Sequence, residues 1–294
     1  VEINVNSPKQ LGEFLFIKLG LPLVEVTAKG NASTRESVLL RLKDEHPAVM
    51  HILEFRKWYK FDSTYLSKWA EMKDEKDRIH PNYKITGTVT GRLSSGKEEN
   101  KDNRLGVQQV PRDPLIRGVI GAPPGWKFVE ADFSQIELRI AAHYAQDPTM
   151  IRLFIADEDI HLSMAMKLTN KPAHAVTKEE RKKAKSVNFG YLFGMGWRKF
   201  IDYARDNYGV NVTDDEAKES RESFFNTFTR LRQYHERQRR LASQYGRVQS
   251  AIGRVRHLPD IYSDDKEVRQ EAERQAINSP VQSMASDMML LSMT

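Results

Sequence analysis

The sequence predicts an α+β protein in which a helical insertion interrupts a sheet-bearing domain. Three observations lead there. The first third carries helix-start signals and apolar stripes of helical period. Residues 79 to 117 then change to Thr, Gly, Ser, Asn and Pro with short extended pieces, and the chain from His161 to about Tyr245 is again mostly helical.

The elements follow in order. Ser7-Pro8-Lys9-Gln10 has capping-box form with Pro at the first helical position, opening an amphipathic stretch through Leu19. Ser33-Thr34-Arg35-Glu36 repeats the pattern before Val38-Leu39-Leu40. A third helix is expected from Ala48 to Met72, with Ile52, Leu53, Phe55, Trp58, Tyr59, Tyr65, Leu66 and Trp69 as its core-facing stripe. Extended pieces such as Tyr83 to Val89 and a polar loop from Gly96 to Arg104 come next. After the Pro123-Pro124-Gly125 turn, Trp126 to Ala131 reads as a strand, and Ser134-Gln135-Ile136-Glu137 has capping-box form before a helix over Leu138 to Tyr144.

Composition narrows the function classes. A length of 294 residues suits about two domains, and the absence of Cys excludes disulfides, thiolate zinc sites and thiol catalysis. No apolar run reaches the roughly 18 residues of a membrane span and no secretory leader opens the chain, so a soluble, cytoplasmic protein without membrane partners is expected. The chain starts at Val1 rather than Met, and both ends are expected to be cuts. The net charge of +6 is concentrated: Lys178 to Arg256 holds 18 basic and 10 acidic residues, leaving the remainder slightly acidic. A basic face of this kind suits a polyanion such as nucleic acid, and a solvated helical surface equally well.

Gly91 to Lys97 has the spacing of a phosphate-binding loop, but Glu98 stands where a hydroxyl must meet Mg²⁺ and no apolar helix follows, which excludes nucleotide hydrolysis through it. The eight His residues form no metal-binding pair. Asp132, at the end of the expected strand and before a helix, has the chemistry to hold Mg²⁺ against substrate phosphates. On spacing alone a helix N-terminal acid is the better account of it. Thr177-Lys178-Glu179-Glu180 is a further capping box, after which Arg181, Lys185, Phe189 and Phe193 recur every four residues. That stripe sets two cations near the positive end of the helix dipole and two rings beyond them, a face suited to a nucleoside triphosphate. A purely structural amphipathic helix gains nothing from basic residues in its first turn.

Together these segments resemble family A DNA polymerases. Asp132-Phe133-Ser134-Gln135-Ile136-Glu137-Leu138-Arg139 is similar to the palm motif of that family, and Arg181 through Gly190 to the motif on its fingers helix. Thr90 to Ser95 resembles its primer-template contact segment, Gly253-Arg254 with Leu258-Pro259-Asp260-Ile261 a further signature, and Glu273-Arg274 with Asn278 and Gln282 its minor-groove helix. The resemblance implies a right-hand fold: thumb over 1–78, palm over 79–148, fingers over 149–262, and a minor-groove helix returning to the palm over 263–294. It implies template-directed DNA synthesis from deoxynucleoside triphosphates on primer-template DNA, with two Mg²⁺ ions. Asp132 and the Phe133 carbonyl are then metal ligands. Gln135, Glu137, His161, Arg181, Lys185, Phe189 and Phe193 form the nucleotide site, with Glu137 the steric gate against ribose and Lys185 the proton donor to pyrophosphate. Arg92, Arg254, Arg274, Asn278 and Gln282 contact DNA. Phe189, where some relatives carry Tyr, implies discrimination against dideoxynucleotides.

Two departures from the family pattern carry expectations. Phe193 replaces a Tyr whose hydroxyl would reach towards Glu137, so that hydrogen bond is lost. The His-Asp-Glu turn that brings the second metal-binding carboxylate occurs nowhere in the chain, and Asp287 is expected to be structural. Extension by this chain is therefore expected to need a separate C-terminal polymerase fragment. The competing readings are a non-catalytic DNA-binding or scaffold subunit, and a single-subunit RNA polymerase, which Glu137 disfavours.

Overall fold

A computed structural model describes residues 3–27, 29–95 and 106–293, and the chain divides into two compact units, residues 1–83 with 95–128 and residues 84–94 with 129–294. The polar loop and the Lys97–Glu98 part of the excluded phosphate loop lie outside the described residues.

The first unit is helical. α1 (Pro8–Gly12) is capped by Ser7, whose hydroxyl accepts from the Gln10 amide, and continues through a π-helical segment over Glu13–Lys18. The reciprocal half of the expected box is not made, because the Gln10 side chain takes the Asn4 amide at 2.8 Å instead. The Ser33–Glu36 box does not form: α2 (Glu36–Arg41) starts from Arg35 with no side-chain cap. Ser33 and Thr34 are buried and committed elsewhere, the Ser33 amide to the Glu25 carbonyl and the Thr34 carbonyl to Arg56 Nη1.

The expected third helix spans α3 (Pro47–Lys60), a π-helical segment over Phe61–Leu66, and α4 (Ser67–Met72). Its aromatic stripe divides. Phe61, Tyr65 and Trp69 pack with Ile116 of α5 (Pro114–Arg117), and the Tyr65 hydroxyl donates to the Gln109 carbonyl at 2.8 Å. Phe55, Trp58 and Tyr59, expected in the core, are instead about half exposed. Three and four residues apart on a helix, they meet their own neighbours: Phe55 stacks on Tyr59, and Lys57 lies over the Trp58 ring.

The two-residue strands β1 (Tyr83–Lys84) and β2 (Ser94–Ser95) mark where the chain passes between the units. The strand expected over Trp126–Ala131 is not formed. The segment has no regular secondary structure, no described strand pairs with it, and Trp126, Phe128 and Val129 are exposed. Hydrophobic alternation makes a segment able to join a sheet, but only a neighbouring strand in register makes it one.

The second unit is built around α6 (Ile136–Ala145), α7 (Pro148–Ile155), α8 (Ile160–Thr169), α9 (Lys178–Leu192), α10 (Trp197–Tyr208), α11 (Asp214–Thr227), α12 (Thr229–Tyr245) and α13 (Lys266–Leu291). α9 packs on α8, α10 and α11, and α12 on α6 and α13. Tyr191, Phe200, Phe224, Phe228 and Leu231 are fully buried at their centre, each side chain adding roughly 1.5–3 kcal/mol by leaving water. Buried polar ends are bonded: Tyr191 donates to the Ala217 carbonyl at 2.7 Å, Tyr234 to the Ile277 carbonyl at 2.8 Å, and buried Asp147 caps α7 while accepting from the Arg230 amide. β3 (Arg247–Gln249) and β4 (Val255–His257) form an antiparallel hairpin with Val248 opposite Arg256. The fold is thus α+β, mostly helical with small antiparallel sheets. No helix among the described residues is long and apolar enough to cross a membrane.

Candidate nucleotide and nucleic-acid site

The second unit brings most of the sequence-predicted residues into two groups. The first group stands on α8 and α9. Thr177 and Glu180 form a complete capping box at the start of α9, the Thr177 hydroxyl accepting from the Glu180 amide and the Glu180 carboxylate from the Thr177 amide. Lys171 donates to the same carboxylate and, with the Thr177 amide, holds it well below the usual range, at about 2.

From that fixed start Arg181, Lys185 and Phe189 follow along one face, with Phe193 just past the last turn and packed against the core. Lys183 is paired with Glu216 and Lys182 with Glu179, whereas Lys185 is exposed and makes no ion pair among the described residues.

α8 delivers His161 to the same place. Its ring lies 5.6 Å from that of Phe189 and is buried, 4% exposed. Burial, reinforced by Arg181 and Lys185 against the opposing pull of Asp159, depresses its pKa to about 4, so His161 is neutral at pH 7. Asn188 Nδ2 donates to His161 Nδ1 at 2.9 Å, which leaves the ring proton on Nε2 as a donor.

Two residues here escaped the sequence reading. Asn188 lies among the buried residues of α9, where a polar residue in an apolar stripe was its only signal. Asp159 caps α8 and also binds Arg181. Its position two residues before His161 was legible as a cap, but not its link to α9.

The second group surrounds α6. Gln135, the residue before α6, has φ of 53° in the left-handed region, and its buried Oε1 has no hydrogen-bond partner. A left-handed backbone and an orphaned polar atom thus fall on the same residue, which the sequence had singled out. The capping box expected over Ser134–Glu137 is absent, since α6 has no side-chain cap, and Glu137 is instead ion-paired with Arg92. The predicted gate carboxylate is thereby free of the local bonding role that competed to explain it. Asp132 lies outside any regular element, four residues before α6, exposed, and makes no hydrogen bond or ion pair among the described residues. It is neither at a strand end nor in a helix's first turn, so the helix-dipole account fails.

Arg254 donates through Nε and Nη2 to Asp287, which is 8% exposed. Its guanidinium covers Gly91, where a Cβ would sit 2.5 Å from Arg254 Cζ and φ is +79°. Glycine is required there on both counts. Arg274, Asn278 and Gln282 recur every four residues along α13, with Arg274 paired to Glu271 and Asn278 Oδ1 buried without a partner. No cluster of three or more His, Asp or Glu suited to a metal occurs among the described residues.

Residues 1–294 match the family described as DNA polymerase family A, and the chain belongs to that family. It is 37% identical over 296 residues to the thermostable DNA polymerase I of Thermus aquaticus, covering 99% of this chain and 34% of that protein. It is 38% identical over 287 residues to DNA polymerase I of Geobacillus stearothermophilus, covering 97% of this chain and 32% of that protein. The chain thus spans about a third of the length of the curated relatives it matches. Among solved structures, the POL domain of Pol1 from M. smegmatis, in complex with DNA primer-template and dNTP, superposes with a TM-score of 0.85 at 31% identity, over 99% of this chain and 50% of that one.

Proposed function

We propose that this chain is the nucleotide- and DNA-handling part of a polymerase that transfers deoxynucleotides from dNTP to a primer 3′-hydroxyl. One observation carries the reading: α8 and α9 bring a neutral His161, a free Lys185, Arg181 and the Phe189 ring to one face. Family membership and the ligands of the M. smegmatis domain support it.

In this reading Arg181, Lys185 and His161 Nε2–H bind the triphosphate, and Phe189 and Phe193 line the sugar and base. Glu137 occupies the space a ribose 2′-hydroxyl needs, with Gln135 beside it, and Arg92 holds its carboxylate in place of the absent tyrosine hydroxyl at Phe193. Arg92, Arg254, Arg274, Asn278 and Gln282 line the primer-template path. The primer hydroxyl attacks the α-phosphate in line, and Lys185 delivers a proton to the departing pyrophosphate.

Asp132 fits a divalent cation, being a hard oxygen donor without a hydrogen bond or ion pair among the described residues, and the Phe133 carbonyl is adjacent in the chain. Two Mg²⁺ ions, when bound, supply the charge neutralisation at the entering and leaving oxygens. One carboxylate is half of such a site. The reading therefore has extension depend on a second carboxylate brought by further polypeptide. The thumb, palm and fingers divisions at residues 78, 148 and 262 belong to the same proposal.

Titration of the chain with a deoxynucleoside triphosphate tests it. Lys185→Ala weakens binding about 10- to 100-fold, the loss of one charge-assisted contact of about 1.5–3 kcal/mol, and leaves the melting temperature unchanged because the exposed Lys185 makes no ion pair among the described residues. Unaltered affinity would remove the triphosphate face.

A further inference from the structure

Asp159 uses its two carboxylate oxygens for different tasks. Oδ1 accepts from the amides of His161 and Leu162, at 2.9 and 3.1 Å, and so caps α8. Oδ2 accepts from Arg181 Nε at 2.6 Å, on the neighbouring helix. Burial opposes its ionisation, but Arg181 and the two amides outweigh that and hold the carboxyl below its ordinary value. An ordinary N-cap needs only the first task. The second places a carboxylate on the guanidinium of the triphosphate face, while Lys185 four residues on makes no ion pair among the described residues.

The pair is partly exposed, Arg181 by 46% and Asp159 by 32% of their side chains. Exposed pairs of this kind are weak. A carboxylate so held can be exchanged for a stronger anion without unfolding anything, since Oδ1 keeps the cap.

We infer that Asp159 is a positioning residue that occupies Arg181 as an internal stand-in for phosphate and gives it up when a nucleoside triphosphate binds. The inference rests on the triphosphate reading of this face. Asp159 sets a threshold: Arg181 is held against α8, beside His161, and only a polyanion outcompetes the carboxylate. The same oxygen pair links the orientation of His161 to that of Arg181, so the two phosphate ligands are presented together.

The discriminating substitution is Asp159→Asn. Asparagine keeps the Oδ1 acceptor, caps helices as well as aspartate does, and so preserves the fold, but it loses the charge that holds Arg181. Calorimetric titration of the chain with dATP in Mg²⁺ buffer is expected to show Asp159→Asn binding about two- to fivefold more tightly than the unaltered chain, with affinity for deoxyadenosine unchanged. A merely structural role predicts no gain. In an Arg181→Ala background the gain disappears, because there is nothing left to release.

Unchanged or weaker dATP binding by Asp159→Asn, or a gain that persists without Arg181, overturns the inference. Failure of the underlying reading looks different: Arg181→Ala alone then leaves dATP affinity as it was.

Discussion

The face made by α8 and α9 and the segment 129–135 both carry residues singled out by the sequence, yet they are built in opposite ways. On α9 the capping box is complete, the helix is wedged against α8, α10 and α11, and most charges beside the site have partners. Residues 129–135 have no ladder among the described residues, no side-chain cap at the start of α6 and an exposed aspartate, and end in a left-handed glutamine. A helix satisfies its own backbone, so its functional face can be fixed by local sequence and one packed side. An extended segment has to find its partners elsewhere. The difference teaches which side chains are expendable for stability and which are not.

The largest expected effect breaks the comparison at Asp132. In a polymerase assembly that extends primers, Asp132→Ala lowers the single-turnover rate by roughly a thousandfold or more, with no change in melting temperature, since the side chain makes no contact among the described residues. A stability loss with retained turnover would make it structural after all.

The α8–α9 side is expected to respond to acid. His161 and His235 are buried and their pKa values are depressed to about 4, chiefly by desolvation, with His235 Nε2 donating to the Leu192 carbonyl at 2.8 Å. The unfolded chain binds protons near pH 6.5 that the folded one refuses, so the stability contribution is complete above pH 6.5 and is lost as pH falls towards 4. Each histidine is worth up to roughly 3 kcal/mol over that window. Urea midpoints measured from pH 7 to 4.5 should fall accordingly, and a flat profile would mean the rings are protonated in the fold.

Next comes the packing behind the face. A Cβ on Gly190 would meet Phe200 Cδ2 at 2.8 Å, and Phe200 is fully buried. Gly190→Ala should cost about 1–3 kcal/mol by overpacking, read from chemical denaturation.

The smallest effect is the sharpest contrast. Thr177→Ala removes a formed cap and costs about 1 kcal/mol, while Ser134→Ala, in a box written the same way, costs close to nothing because α6 has no side-chain cap. Equal losses would show that the two helix starts are not built differently.

Thr-x-x-Glu before α9 and Ser-x-x-Glu before α6 show how far local spacing reaches. Both patterns are legible, and only the first becomes a cap, because Glu137 is drawn to Arg92, 45 residues upstream. The Ser33–Glu36 box does not form either, because α2 starts from Arg35 while the Ser33 amide and the Thr34 carbonyl are bonded to Glu25 and Arg56. The aromatic stripe of α3 predicted a helix correctly but not its buried face, since three of its rings are half exposed. Candidate site residues were legible where motif order singled them out, as with Arg181, Lys185 and Phe189. Their partners were not: Asp159, Asn188 and Asp287 reach them across 22, 27 and 33 residues of chain.

What the sequence by itself determined is the mostly helical character of the first third and of the chain from His161 to Tyr245, the complete capping box of α9, the α+β class, the family, and the cations and rings repeating every four residues on α9. Those properties depend on spacing within a turn or two of chain, or on ordered motifs along it. The tertiary structure alone decided which charges are spent and which are free. It tied Arg92 to Glu137, Arg254 to Asp287 and Arg181 to Asp159, and left Lys185 and Asp132 unpaired among the described residues. The physical reason is that an ion pair is fixed by distance in space, and the packing of α8 on α9, or of α13 beside the β3–β4 hairpin, sets that distance between residues the sequence keeps far apart.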